Sequence, residues 1–157
     1  MVERTKGTGK RYSITSLRIV LDTNCLIQIL SRHSEFRPVW DSIITGENIL
    51  CITNEILEEY SEILHRMFGY QFAETVVAAL LKSPFVERFS PYYHFNLITA
   101  DSDDNKFVDC ALQANARYIV TNDHHYDVLQ QTKFPVVDII ALKNFLGLLN
   151  HTHSSRT

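Results

Sequence analysis

The stretch Arg18–Asn24, which reads RIVLDTN, decides the fold of this 157-residue chain. Its apolar run stops on an acid and two small polar residues, and it shows no polar alternation. Such a run is typical of a strand buried on both faces of a parallel sheet. A second run of the same kind, YIVTND, lies at Tyr118–Asp123. We therefore predict two buried strands that each present an Asp just past the carboxyl end.

Apolar runs and helical stripes alternate along the rest of the chain. They predict a single α/β domain with a parallel sheet of four or five strands and helices on both faces. The segment Ser90–Ala100 fits neither pattern. The predicted strands are Arg18–Asp22, Asn48–Ile52, Phe85–Phe89, Arg117–Thr121 and Phe134–Asp138. The predicted helices are Cys25–Leu30, Phe36–Ile44 before Gly46, Thr53 or Asn54 to Gly69, Phe72–Leu81, Asp101 or Ser102 to about Ala116, Asp123–Gln130 and Ile140–Leu149.

Length and composition divide the chain into three parts. Residues 1–17 form a basic N-terminal arm without a recognisable pattern, 18–149 the domain, and 150–157 a polar tail. The three cysteines form no C-x-x-C pair, which indicates reduced thiols and a cytoplasmic location. The chain shows neither a secretory signal nor about 18 consecutive apolar residues, so no membrane association is expected.

The net charge of −3 hides an asymmetry. Residues 1–18 hold five of the fifteen basic residues but only Glu3 of the eighteen acids, so residues 19–157 carry ten basic and seventeen acidic residues, a net charge of −7. Phosphate contacts need Lys or Arg, so a nucleic-acid substrate would require bridging cations or the arm. We expect the arm to be a solvated tail.

Helix capping and helical phase distinguish among the candidate acids. Asp22 and Asp123 can each cap the next helix, an interaction of about 1 kcal/mol, or bind a ligand. Asp104 lies within about 20° of the centre of an apolar helix stripe, whereas Asp109 points about 160° away and is predicted to be solvated. Glu59 lies about 95° from the centre of its own stripe, so phase leaves both orientations open.

If the four candidate acids converge, their negative charge must be neutralised. These acids are Asp22, Glu59, Asp104 and Asp123. Two carboxylates about 4 Å apart repel by roughly 4 kcal/mol at an effective dielectric constant of about 20. An all-oxygen ligand set suits Mg²⁺ or Mn²⁺, which points to phosphoryl chemistry. Four polar neighbours would then orient the carboxylates or contact phosphate, although ordinary turn and cap chemistry explains each equally well: Thr23, Asn24, Thr121 and Asn122.

These residues, in this order, resemble the PIN domain over about Arg18 to Leu149, in particular the branch of toxin components of toxin–antitoxin pairs. The matched motifs are D-T-N, an acid within I-L-E-E-Y, D-D-N-x-F and T-N-D, which here contain Asp22, Glu59, Asp104 and Asp123. The resemblance implies a sheet of order 3-2-1-4-5, Mg²⁺- or Mn²⁺-dependent cleavage of single-stranded RNA, an antitoxin partner and a homodimer.

Several alternatives stay open. Glu58 would replace Glu59 if the motif register slips by one, and Asp101 or Asp127 could act through water. His124 and His125 have no assigned role. The same fold could serve as a non-catalytic binding module, which metal-dependent turnover would exclude. A metal-dependent phosphatase of the haloacid-dehalogenase type has weaker support, because it needs an Asp where Asn24 stands.

Overall fold

Seven strands and six α-helices make up the described part of the chain. The computed structural model describes residues 3–6, 10–13, 16–90, 98, 104–131 and 137–155. The strands are β1 Glu3–Lys6, β2 Lys10–Ser13, β3 Leu17–Leu21, β4 Asn48–Thr53, β5 Val86–Phe89, β6 Tyr118–Val120 and β7 Asp138–Ile140. The helices are α1 Thr23–Leu30, α2 Arg37–Ile44, α3 Asn54–Phe68, α4 Tyr70–Lys82, α5 Asn105–Ala114, α6 Leu142–Ser154 and a 3-10 helix at His124–Gln131.

Five parallel strands form the central sheet, in the order β5-β4-β3-β6-β7. Numbered along the chain, this is the predicted order 3-2-1-4-5, which is therefore confirmed. β3 lies in the middle, with Ile19 opposite Leu50 on one side and opposite Tyr118 on the other. Every residue of β4 is buried, as expected for a parallel sheet covered by helices on both faces.

Local chemistry explains where several helices begin and end. The Thr53 hydroxyl accepts a hydrogen bond from the amide of Ile56 at 3.2 Å, so of the two predicted caps Thr53 caps α3. Gly69 separates α3 from α4 with φ of +90°, and Asn115 ends α5 in the left-handed region with φ of +52°. The buried Tyr60 hydroxyl donates to the backbone oxygen of Leu21, which ties α3 to the end of β3.

Two predictions about the chain ends were inaccurate. β1 and β2 pair as an antiparallel hairpin within residues 1–17, where no regular structure was expected; both strands are polar, so they leave no apolar periodicity to detect. The last strand, β7, ends at Ile140, two residues past the predicted end at Asp138, because its pairing with β6 extends from Asp138 opposite Tyr118 to Ile140 opposite Val120. Residues 132–136 lie outside the described residues.

Other boundaries also moved. α6 runs from Leu142 to Ser154, past the predicted end at Leu149, because a helix can continue after its apolar stripe stops. Asp104 occupies the N-cap position of α5, while the expected caps Asp101 and Ser102 lie outside the described residues. Most of Ser90–Ala100 is also outside them. No helix in the described residues is long and apolar enough to cross a membrane.

Gly46 follows α2 and is expected to tolerate no side chain. Its φ is +81°, and a Cβ there would lie 2.5 Å from Cδ1 of the Phe85 ring. Gly46→Ala should therefore lower the free energy of unfolding by about 1–3 kcal/mol, measured by urea denaturation. Gly147→Ala is the matched control: a Cβ there meets nothing within 4 Å inside α6, so we expect a gain of about 0.5–1 kcal/mol. Equal stability of the two variants would contradict this account.

Candidate active site

The carboxyl ends of β3 and β6 meet at one edge of the sheet. The amide of Asp22 donates to the carbonyl of Val120, and the amide of Thr121 donates to the carbonyl of Ile140, both at 3.0 Å. The Thr121 hydroxyl donates to Oδ2 of Asp22 at 2.7 Å and accepts from the amide of Asp123 at 3.1 Å. Thr121 thereby joins the two strand-end acids that the sequence pattern singled out.

Helix capping does not explain Asp22 or Asp104. Each stands at an N-cap position, Asp22 before α1 and Asp104 before α5, yet neither side chain makes a capping hydrogen bond. Their exposed fractions are only 8% and 9%. Asp123 differs, because its Oδ1 accepts the amide of His125 at 2.8 Å, as a cap of the 3-10 helix would.

Glu59 reaches the same edge from α3, between a hydroxyl and a cation. Oε2 of Glu59 accepts a hydrogen bond from the hydroxyl of Thr23, the residue after Asp22. Oε1 lies 2.8 Å from Nζ of Lys106 on α5. Of the two orientations that helical phase left open, Glu59 therefore adopts the inward one, while Glu58 is exposed.

Asp104, Asp123 and His125 form a compact group of potential metal ligands. Nδ1 of His125 lies 3.6 Å from Oδ2 of Asp104 and 3.4 Å from Oδ1 of Asp123. One ligand atom from each of the three lies within 4.8 Å of the others. The Tyr126 hydroxyl donates to the backbone oxygen of Asp104 at 3.5 Å, and so connects this group to the start of α5.

Burial and like charge act together on the acids of this edge. Burial raises the pKa of Asp22 above its ordinary value of 3.8; the hydrogen bond from Thr121 opposes the shift, and the charges of Asp123 and Glu59 add to it. Burial also raises the pKa of Tyr126, which faces Asp22, Asp104 and Asp123. The site thus concentrates negative charge at the carboxyl ends of β3 and β6.

The four predicted polar neighbours occupy different positions. Thr23 and Thr121 hydrogen-bond to site carboxylates, as described above. Oδ1 of Asn122 instead accepts the amide of Leu142 at 3.1 Å, which fixes the start of α6. Asn24 is exposed on α1.

The other acids that the sequence analysis considered are Asp127, Asp101 and Asp109. Asp127 is exposed, with Oδ2 3.3 Å from Nδ1 of His124, and Asp101 lies outside the described residues. The prediction that Asp109 is solvated was wrong, since only 3% of the residue is exposed. Helical phase gives the direction of a side chain on its own helix, but it does not show that the start of α3 and the end of β5 lie beside Asp109.

Two site residues, Lys106 and His125, were missed. Lys106 occupies the unspecified position of the D-D-N-x-F motif, and His125 follows Asp123 by two residues, so proximity to the motifs was the available signal. Lys106 also lines a cavity of about 200 Å³ at the carboxyl ends of β4 and β5. The cavity is lined by Thr53, Asn54, Glu55, Phe89, Ser90, Lys106 and Asp109.

Replacing Asp22 with Asn should stabilise the protein in the absence of divalent ions. Because the folded-state pKa of Asp22 is raised, the folded state holds its proton to higher pH than the unfolded chain does, and stability falls as pH rises through this window. Asp22→Asn removes the effect. We expect a melting temperature higher by a few degrees at about pH 7.5, with a gain that shrinks as pH is lowered toward about 4. A lower melting temperature of Asp22→Asn than of the wild type at neutral pH would contradict a raised pKa for Asp22.

Comparisons with known proteins agree with this architecture. A family model described as "PIN domain" matches residues 18–125. The fold is similar to VapBC2 from Rickettsia felis bound to a DNA fragment from their promoter, with a TM-score of 0.57 and 15% identity over 80% of this chain and 98% of that one. It is also similar to VapBC-1 from nontypeable Haemophilus influenzae, with a TM-score of 0.58 and 13% identity over 81% and 99% of the two chains.

A third solved structure is also similar. PAE2754 from Pyrobaculum aerophilum has a TM-score of 0.55 and 16% identity over 94% of this chain and 99% of that one. No curated protein matches the chain. The family match covers more than half of the sequence and includes Asp22, Glu59, Asp104 and Asp123. The chain therefore belongs to the PIN-domain family.

Proposed function

We propose that this protein is a metal-dependent endoribonuclease that hydrolyses phosphodiester bonds of single-stranded RNA with Mg²⁺ or Mn²⁺. The observation that carries the proposal is the convergence of Asp22, Asp104 and Asp123 at the carboxyl edge of the sheet, with Thr121 joining two of them. Sites in open parallel sheets lie at this edge, near the point where the strand order reverses. Here that point lies between β3 and β6.

The donor chemistry fits a divalent ion. Asp22, Asp104, Asp123 and Glu59 would hold it, and their carboxylate oxygens suit Mg²⁺ and Mn²⁺. Both oxygens of Glu59 already have a partner, but a carboxylate offers about four lone pairs and can serve a second one. When bound, the ion would neutralise charge on the phosphate and lower the pKa of an attacking water.

Neighbouring polar residues hold the carboxylates in position. Thr121 fixes the Asp22 carboxylate, and Thr23 fixes Glu59, so two hydroxyls orient two acids. Asn122 acts from further away, because its bond to Leu142 holds the turn between β6 and the 3-10 helix. Asn24 is exposed beside Asp22 and is proposed to contact the substrate backbone.

Lys106 provides a positive charge with which this acidic protein can bind RNA. Its ammonium pairs with Glu59 and lines the cavity beside the carboxylates, so it places positive charge where a phosphate next to the scissile bond would lie. The cavity lining also includes Phe89, and an aromatic ring is a surface on which a base can stack. We propose that this cavity receives a nucleotide adjacent to the cleaved bond.

A role as the toxin of a toxin–antitoxin pair is the second part of the proposal. The motifs resemble those of such toxins, and two of the similar structures are VapBC complexes. An apolar patch at the α3–α4 hairpin supports protein partners, namely an antitoxin and a second copy of the chain. Its exposed members are Met67, Phe68, Tyr70 and Phe72. We place the protein in the cytoplasm, which suits its three buried free cysteines.

Induced expression in a bacterial host tests this role. We expect wild-type protein to arrest growth and to fragment cellular RNA, while Asp123→Asn is produced at the same level without either effect. Arrest by both forms would instead favour a non-catalytic binding module. Phosphate release from small phosphomonoesters, with intact RNA, would favour the phosphatase alternative.

A further inference from the structure

We infer that His125 supplies a nitrogen ligand to the same divalent ion that Asp104 and Asp123 hold. This inference rests on the proposed function, because it takes the metal centre as given. It adds an imidazole to a ligand set otherwise made of carboxylates.

The distances suit shared coordination. Neighbouring ligand atoms around an octahedral ion with bonds of about 2.1 Å are about 3 Å apart. Nδ1 of His125 lies 3.6 Å from the Asp104 carboxylate and 3.4 Å from the Asp123 carboxylate. Small rotations of the three side chains therefore bring them to bonding distance around one ion.

The backbone holds His125 in this position. Its amide donates to Oδ1 of Asp123, whose own amide donates to the Thr121 hydroxyl. The next residue, Tyr126, is fully buried and bonds to the backbone of Asp104. The backbone at His125 is thus anchored on both sides, while 45% of the side chain is exposed, which leaves access for an ion that carries water ligands.

The adjacent His124 provides a natural contrast. Its side chain is 95% exposed and lies 3.3 Å from Asp127, on the outer side of the 3-10 helix. Two consecutive histidines therefore differ in direction, and only His125 lies against Asp104 and Asp123. This pair offers a variant and its control at neighbouring positions.

A nitrogen ligand has a consequence for metal choice. Mg²⁺ takes oxygen ligands, whereas imidazole binds transition metals well. With His125 in place the site should favour Mn²⁺ over Mg²⁺. Removal of the imidazole should weaken Mn²⁺ binding by about tenfold or more and Mg²⁺ binding by less.

The experiment uses Mn²⁺ alone as the probe, on the full chain without RNA. Pulsed electron paramagnetic resonance detects the coupling of a directly bound imidazole nitrogen to Mn²⁺. We expect this coupling in the wild type and in His124→Ala, and its loss in His125→Ala and His125→Gln. Calorimetric titration of the same proteins should give the weaker Mn²⁺ affinity, and thermal unfolding checks that each variant is folded.

Three results would overturn the inference. If Mn²⁺ binds to the wild type without nitrogen coupling, and Asp104→Asn abolishes binding, the metal centre stands and His125 is only an ion-pair partner of the acids. Coupling that persists in both folded His125 variants would assign the nitrogen to another residue. If the wild type binds no Mn²⁺ at all, both this inference and the proposed metal centre fail.

Discussion

Asp22→Asn is expected to lower kcat/KM for cleavage of single-stranded RNA by at least about 100-fold. Loss of groups around a metal ligand typically costs 10- to 100-fold in metal affinity or activity, and loss of a ligand should cost more. Asn preserves the size of Asp22 and can still accept the Thr121 hydrogen bond, so only charge is removed. Initial rates with a labelled RNA in Mn²⁺ provide the measurement.

Asp41→Asn is the matched control for this prediction. Asp41 is exposed on α2 and pairs with Arg37 of the same helix, so its loss should leave the cleavage rate within about twofold. If Asp22→Asn is more stable than the wild type without divalent ions and has also lost activity, Asp22 is a buried metal ligand. Retained cleavage by a folded Asp22→Asn protein would exclude Asp22 from the metal centre.

Lys106→Ala is expected to raise KM for RNA about tenfold while kcat changes less. The side chain carries the positive charge at the rim of the cavity next to Glu59. A lysine that contacts one phosphate of a single strand contributes about 0.7 to the slope of log affinity against log salt. The slope for Lys106→Ala should be smaller by about this amount, measured by fluorescence anisotropy at several salt concentrations in Ca²⁺.

Two further variants separate charge from structure at this position. Lys106→Arg retains the charge and should recover most of the affinity, whereas Lys143→Ala removes an exposed lysine from α6 and should leave both KM and the salt slope unchanged. If Lys106→Ala instead lowers kcat with KM and salt slope intact, Lys106 orients Glu59 and does not capture RNA.

The central sheet was predictable because its inner strands β3, β4 and β6 are mostly buried and therefore apolar. Short uninterrupted apolar runs such as Ile19–Leu21 favour a buried strand over a helix, because helices are usually longer. The hairpin of β1 and β2 was not predictable from pattern, since the sequences of its two strands, ERTK and KRYS, are polar and show no apolar alternation. The boundary of β7 depends on its pairing with β6, which is a tertiary contact. α6 continues to Ser154 beyond its apolar stripe, so periodicity did not give its end.

The positions of the acids were predictable to different degrees. The burial of Asp104 follows from helical phase, because its helix turns one apolar face toward the sheet. Phase alone could not orient Glu59, which turns inward to contact Thr23 and Lys106. Both of these residues are far from Glu59 in the sequence. The same limit explains Asp109: its burial comes from elements that cover α5, and no pattern within α5 contains them.

Cleavage of a labelled single-stranded RNA by the purified wild type in Mn²⁺ or Mg²⁺, with EDTA and with Asp104→Asn in parallel, tests whether these carboxylates form the catalytic metal centre of a ribonuclease. The account predicts internal cleavage in Mn²⁺ or Mg²⁺, none in EDTA, and at least about 100-fold slower cleavage by the variant. Single-stranded DNA of the same sequence should remain intact. Cleavage that persists in EDTA, or that wild type and Asp104→Asn share equally, would contradict a metal centre built on these carboxylates.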